Sequence, residues 1–108
     1  MGKFVVFFKF KGETLKAMMD HPSDRASVVS GLAAAAGGRM ECYYLMFGQW
    51  DGLVIVEAPD SKAAAALSLA VASTGAFADV ETHELLEAGD LDGILQTSKS
   101  LTYTAPGT

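Results

Sequence analysis

The residues best suited to chemistry in this sequence lie in one short loop, Gly48-Gln49-Trp50-Asp51, between two β-rich segments. An indole beside a carboxylate suits ligand binding, since Trp50 can stack on a ring and Asp51 can accept a hydrogen bond. A tight hairpin explains the same residues without a ligand, because Gly48 permits positive φ and aspartate bonds backbone N–H groups. Gly48, Trp50 and Asp51 are therefore candidate ligand-binding residues, although a structural turn is the favoured interpretation.

Three further side chains complete the candidate ligand-binding set, namely Arg25, Tyr44 and His83. No nucleophile, base and orienting group share a recognisable spacing, so we predict no catalytic residues. The two histidines, His21 and His83, have no paired metal-ligand spacing, and the glycines do not form a phosphate loop. The sequence therefore predicts neither a metal nor a cofactor. Cys42, the only cysteine, is interpreted as a small core residue.

Length and composition indicate one domain that needs a partner. The chain has 108 residues, of which 50% are apolar and 19% are charged. A chain this short cannot bury so many apolar residues in its own core, so a subunit interface is expected. The net charge of −5 and the absence of a basic run argue against nucleic acid and anionic membranes as partners. The sequence shows neither a signal peptide nor a membrane span, so we predict a cytoplasmic protein.

Apolar periodicity and turn residues predict four strands and four helices. The strands are expected at residues 3–10, 39–47, 53–57 and 77–86, and the helices at residues 14–19, 25–36, 62–73 and 91–99. Thr14, either Ser23 or Asp24, and either Asp60 or Ser61 are the expected N-caps. Gly37-Gly38 is expected to end the second helix.

Strict alternation predicts the two faces of the second strand. Met40, Cys42, Tyr44 and Met46 are expected on one face, and Glu41, Tyr43, Leu45 and Phe47 on the other. Only one of the adjacent tyrosines can therefore face a given cavity.

The element order β-α-β-β-α-β predicts an α+β, ferredoxin-like fold with a four-stranded antiparallel sheet. Right-handed crossovers place the helices on one face of the sheet, so the other face needs a cover. We expect the same face of a second copy, which gives a homodimer or higher oligomer of the dimeric α+β barrel type. The alternative is that the C-terminal segment folds back over that face. The domain is predicted at residues 1–97, with a flexible tail at residues 98–108.

The hairpin and its surroundings resemble the GYD domain family, which is named for a Gly-Tyr-Asp signature at this hairpin. The resemblance covers residues 3–96 and includes Phe8-Lys9-Phe10, Gly37-Gly38 and Glu57-Ala58-Pro59-Asp60. Trp50 replaces the signature tyrosine and Gln49 is inserted. The family's Thr-x-Thr on the last strand is here Val80-Glu81-Thr82. The resemblance implies a dimeric α+β barrel fold and leaves the activity open.

Three functions are consistent with these patterns. The first is an oligomeric module that binds a small molecule or a protein, and we prefer it because no catalytic set is present. The second is a cofactor-independent monooxygenase or isomerase acting on an apolar substrate through Trp50, His83, Tyr44 and Arg25. A cavity between helices and sheet that holds at least two of these groups would favour it. The third is a structural assembly subunit without a pocket.

Overall fold

The computed structural model describes residues 1–108 and shows an α+β fold around one four-stranded antiparallel sheet. The strands are β1 Gly2–Phe10, β2 Arg39–Leu45, β3 Gly52–Ala58 and β4 Phe77–Leu85. The α-helices are α1 Gly12–Asp20, α2 Arg25–Ala35, α3 Ser61–Ala72 and α4 Leu91–Ser100. A short 3-10 helix, Ala88–Asp90, precedes α4. The predicted ferredoxin-like fold is confirmed, and every predicted end lies within two residues of the observed one.

The sheet order is β2-β3-β1-β4, with all neighbours antiparallel. The two most apolar strands, β1 and β3, are therefore central, as a run that is apolar on both faces predicts. Val5 marks the middle of the sheet, since it pairs with Ile55 on one side and His83 on the other.

The core lies between one face of the sheet and the helices α2 and α3. Phe4, Val6, Val54 and Val56 from the sheet pack there together with Ala33 of α2 and with Ala64 and Leu67 of α3. Small residues on both helices let the backbones approach the sheet closely. Only 12 of the 108 residues are buried, and none of them is polar or charged. The chain therefore leaves most of its apolar residues at least partly exposed, as the composition predicts.

Two aspartates begin the core helices, and this settles two of the predicted caps. Asp24 accepts a hydrogen bond from the Ser27 N–H at 3.1 Å, and Asp60 accepts one from the Ala63 N–H at 2.9 Å. The predicted Thr14 cap is wrong, because α1 already begins at Gly12 after Lys11. The Thr14 hydroxyl instead donates to the Ala76 carbonyl at 2.7 Å, which ties α1 to the segment that leads into β4.

The predicted faces of β2 are wrong at one point, because the strand contains an irregularity between Met40 and Cys42. A bulge inserts one extra residue and reverses the alternation beyond it. Met40 and Tyr43 consequently both pack against the core on the helix side. Tyr44 pairs with Leu53 on the opposite face.

The C-terminal segment extends away from the sheet. Every residue from His83 onward is exposed, and α4 packs chiefly against the 3-10 helix before it. The radius of gyration is 17.4 Å, whereas a compact domain of this length has about 13 Å. The segment thus does not fold back over the sheet, and the predicted boundary at residue 97 falls within α4. None of the helices has the length and apolar character needed to cross a bilayer.

Candidate ligand-binding site

A large apolar cleft lies between the helices and one end of the sheet. Its volume is about 740 Å³, and 15 of its 20 lining residues are hydrophobic. The lining includes Phe8 and Phe10 of β1, Val28 of α2 and Val71 of α3. Ligand cavities in proteins typically have volumes of about 300–1,000 Å³ and mostly apolar walls. The cleft therefore has the size and character of a small-molecule site.

The cleft exists because the core occupies only part of the helix layer. Arg25 and Val28 of α2 and Ala70 of α3 line the cleft outside the core. The cleft lining and the core share Val29, Leu32, Leu67 and Val71. Helix α1 contributes Ala17 and Met18 to the cleft wall but has no buried residue of its own. Hydrogen bonds from the Lys11 N–H and the Thr14 hydroxyl to the Ala76 carbonyl hold its first turn in place.

One wall of the cleft is aromatic. The rings of Phe10 and Phe77 stack with centroids 5.1 Å apart, and Phe8 meets Phe77 edge-on at 6.1 Å. Phe8 also lies 5.3 Å from Phe10 and 5.5 Å from Tyr43. Ring pairs at these separations attract one another, and Phe77, which is only half-buried, can pack against a further aromatic group. The wall thus favours a flat or aromatic ligand body.

Arg25 and Tyr43 enter the cleft from opposite layers. Arg25 is the first residue of α2, and Tyr43 reaches the cleft from β2 because of the bulge. Burial raises the pKa of the Tyr43 phenol, and the Arg25 guanidinium opposes this effect. The phenol therefore remains a hydrogen-bond donor at neutral pH, and it lies within the electrostatic range of a positive charge.

The predicted site residues do not all meet at the cleft. Arg25 lines it, whereas Trp50, Tyr44 and His83 lie on the sheet face that no helix covers. On this open face Phe7 is the common neighbour, with its ring 5.8 Å from Trp50 and 6.3 Å from His83. The His83 Nε2 lies 3.0 Å from a carboxylate oxygen of Glu81. The sheet thus separates Arg25 from the other three.

Gly48 and Asp51 shape the hairpin between β2 and β3. Gly48 has φ of 111°, a conformation that favours glycine. The Asp51 N–H donates to the Phe8 carbonyl at 2.8 Å, and the Asp51 Oδ2 accepts from the Phe10 N–H at 2.8 Å. The pairing of β3 with β1 ends at Gly52 and Phe8. Asp51 continues the hydrogen bonding along β1 as far as Phe10. This geometry gives Asp51 a structural role in the hairpin.

We expect Asp51→Ala to destabilise the fold by about 1–3 kcal/mol, because the partly buried Phe10 N–H loses its acceptor. Asp51→Asn keeps an oxygen at this position and should cost roughly half as much. Urea unfolding followed by circular dichroism measures both changes. Equal losses in the two variants would instead assign the effect to the charge of Asp51, which lies 3.9 Å from the Lys9 Nζ.

Charged side chains border the open face at the opposite end from the hairpin. Arg39 Nε donates to Glu57 at 2.7 Å, and Lys3 Nζ lies 3.1 Å from Glu41. The hydrogen bond from Arg39 lowers the pKa of the Glu57 carboxyl. The group contains two cations and two anions, so this border is electrically balanced. The apolar centre of the face lies between it and Trp50, and it consists of Val5, Phe7, Cys42, Tyr44, Leu53 and Ile55.

Comparison with known protein families identifies the family of the chain. The GYD domain matches residues 4–95, which is most of the chain and includes both the cleft and the hairpin. The chain belongs to the GYD domain family. The resemblance inferred from the hairpin motif is thereby confirmed. No curated protein matches the chain.

Solved structures support the fold of this GYD domain. The structure of TTHA0845 from Thermus thermophilus has a TM-score of 0.54 at 16% identity, over 82% of this chain and 96% of that one. The 5-chloro-2-hydroxyhydroquinone dehydrochlorinase TftG from Burkholderia phenoliruptrix AC1100, in complex with 2,5-dihydroxybenzoquinone, has a TM-score of 0.55 at 11% identity. That match covers 81% of this chain and 96% of TftG. At these identities the likeness concerns the fold alone.

In the last strand, β4, the two threonine positions of the family's Thr-x-Thr motif are Val80 and Thr82, and both side chains contribute to packing. The Thr82 hydroxyl lies 2.6 Å from the Ser68 hydroxyl and so links β4 to α3. Val80 packs against the core in place of the first threonine. Neither residue lines the cleft.

Sequence reasoning selected Tyr44 and did not select Tyr43 for the candidate site. The aromatic pattern Phe8, Phe10 and Phe77 was a usable signal for the cleft wall, since these residues share one face of neighbouring strands. The bulge in β2 determines that Tyr43, and not Tyr44, lies on the cleft side of the sheet. The alternation of residues along β2 does not predict this bulge.

Proposed function

We propose that this GYD domain protein is a homo-oligomeric module that binds a small molecule with an apolar body in the cleft between helices and sheet. The observation that supports this most directly is the cleft itself, with its volume of about 740 Å³ and its largely hydrophobic lining. A structural assembly subunit would have no use for such a cleft. Filling an apolar wall of this kind removes ligand surface from water and contributes about 25 cal/mol per Å².

The proposed oligomer forms through the open face of the sheet, with a second copy as the partner. An apolar centre with a balanced charged border is the usual composition of a specific interface. The border of Lys3, Arg39, Glu41 and Glu57 can meet its own copy without net repulsion. In a twofold dimer both copies use the same surface patch, so the patch must be complementary to itself. A balanced set of charges meets this requirement.

The enzymatic alternative has less support. TftG is a dehydrochlorinase of similar fold, but a shared fold at such low identity is weak evidence for activity. The cleft contains only Arg25 of the four side chains proposed for catalysis. The condition that at least two of them share this cavity is therefore not met, and we place binding before catalysis.

Filling the cleft tests the proposed function directly. Ala70 lines the cleft from α3, so we expect Ala70→Phe to occupy ligand space and weaken the binding of a bicyclic aromatic probe by at least about ten-fold. Ala65 is an exposed residue of the same helix outside the cleft, and Ala65→Phe is the matched control. Isothermal titration with 2-naphthalenemethanol measures both affinities. Equal binding by the two variants would contradict a site in the cleft.

A further inference from the structure

The cleft has an uneven distribution of charge. Besides Tyr43, its lining contains the polar side chains of Thr14, His21, Ser23, Arg25 and Thr74, and no carboxylate lines it. The two threonine hydroxyls are already committed, since Thr14 donates to the Ala76 carbonyl and Thr74 donates to the Val71 carbonyl. The permanent charge within the cleft is therefore that of Arg25 alone.

The two arginines of the chain differ in their partners. Arg39 binds Glu57 through Nε at 2.7 Å and through Nη2 at 3.3 Å. Arg25 takes part in none of the five ion pairs of the chain, although Asp24 precedes it directly. The Asp24 carboxylate caps α2 by accepting from the Ser27 N–H. The guanidinium of Arg25 thus has donors free for an anion.

A second donor faces the same space. Tyr43 is half-buried, lines the cleft and makes no side-chain hydrogen bond within the chain. Burial raises the pKa of its phenol, and the nearby positive charge of Arg25 lowers it. Guanidinium groups bind carboxylates through two parallel N–H donors, and a phenol adds a third. The apolar wall of Phe8, Phe10 and Phe77 lies in the same cleft.

We propose that the ligand of the cleft is an aromatic carboxylic acid, whose carboxylate binds Arg25 and Tyr43 and whose ring packs on the phenylalanine wall. This inference rests on the proposed function, because it requires that the cleft binds a ligand. It goes further by specifying the charge of that ligand and the residue that selects it. The absence of a carboxylate in the lining removes the repulsion that an anion would otherwise meet.

The experiment compares two probes that differ in charge and share a ring system, 2-naphthoate and neutral 2-naphthalenemethanol. Isothermal titration at neutral pH should show that the wild-type protein binds the carboxylate at least about ten-fold more tightly than the alcohol, since a hydrogen bond to a charged group contributes about 1.5–3 kcal/mol. Arg25→Met should abolish this preference, because it weakens the binding of 2-naphthoate far more than that of the alcohol. Arg25→Lys should retain part of it.

Controls separate the possible failures. Lys16→Met removes one positive charge from the exposed part of α1 outside the cleft and should leave the preference intact. If the wild-type protein binds both probes equally and Ala70→Phe weakens both, the cleft binds ligands but the selection of carboxylates is wrong. If neither probe binds, the proposed function fails together with this inference. If Lys16→Met and Arg25→Met reduce the preference equally, the long-range effect of positive charge explains the preference and a specific contact with Arg25 does not. That result would overturn the proposal.

Discussion

We expect Leu53→Glu to convert the proposed oligomer to a monomer at micromolar concentration. Leu53 lies on the open face of the sheet, where it pairs with Phe7 and Tyr44 on the neighbouring strands. Burying a carboxylate in the apolar centre of an interface is costly, and a twofold interface would contain the substitution twice. The dissociation constant should therefore rise at least about 100-fold. Sedimentation velocity or light scattering at several concentrations measures this change.

A matched substitution outside the proposed interface gives the control. Leu69 is 70% exposed on α3, and Leu69→Glu makes the same chemical change on the opposite side of the molecule. It should leave the oligomer intact. Trp50, the only tryptophan, supplies an independent readout because it packs on Phe7 at the open face. Its emission should shift to longer wavelength in Leu53→Glu and remain unchanged in Leu69→Glu.

Two results would contradict the proposed interface. A wild-type protein that is monomeric at micromolar concentration would show that the open face stays in contact with water. An oligomer that survives Leu53→Glu would place the contact elsewhere, for which the exposed apolar residues of α4, including Leu91 and Leu95, offer a surface.

Local patterns predicted most of the fold because each element carries its own signal. The continuous run from Leu53 to Val56 predicted a central strand, and Asp60 marked the start of the alanine-rich helix α3. The departures arose where distant residues decide the outcome. The bulge near Glu41 reverses the alternation of β2, and Thr14 bonds a carbonyl 62 positions away instead of capping its own helix.

The candidate site was harder to predict than the fold, because residue types do not specify a side of the sheet. Arg25 and Trp50 are both suited to ligand binding, yet they lie on opposite sides of the sheet. Tyr43 enters the cleft only because of the bulge. The cleft itself depends on how far the core extends beneath α2 and α3, and no single segment of sequence encodes that distance.

A second large effect is expected from Gly38, which follows α2. Gly37 ends that helix with φ of 87°, and the Gly38 N–H donates to the Ala33 carbonyl at 3.0 Å. A Cβ at Gly38 would overlap the carbonyl oxygen of Glu57 and lie 2.8 Å from its carbonyl carbon. These are backbone atoms of the central strand β3, so no side chain can move to make room. Gly38 is thus needed for the close approach of two backbones, in addition to its place at the helix end.

We expect Gly38→Ala to reduce the free energy of unfolding by about 3 kcal/mol, since overpacking against a fixed backbone forces α2 and β3 apart. The control is Gly31→Ala in the middle of α2, where no atom beyond its own stretch of helix lies within 4 Å of the added Cβ. This change should stabilise the protein by about 0.5–1 kcal/mol, because alanine is the better helix former. Urea unfolding at one fixed protein concentration compares the variants, because the proposed association would contribute to apparent stability. A Gly38→Ala protein as stable as wild type would show that β3 yields to α2, and that the sheet, which forms the floor of the cleft, is less rigid than its central position implies.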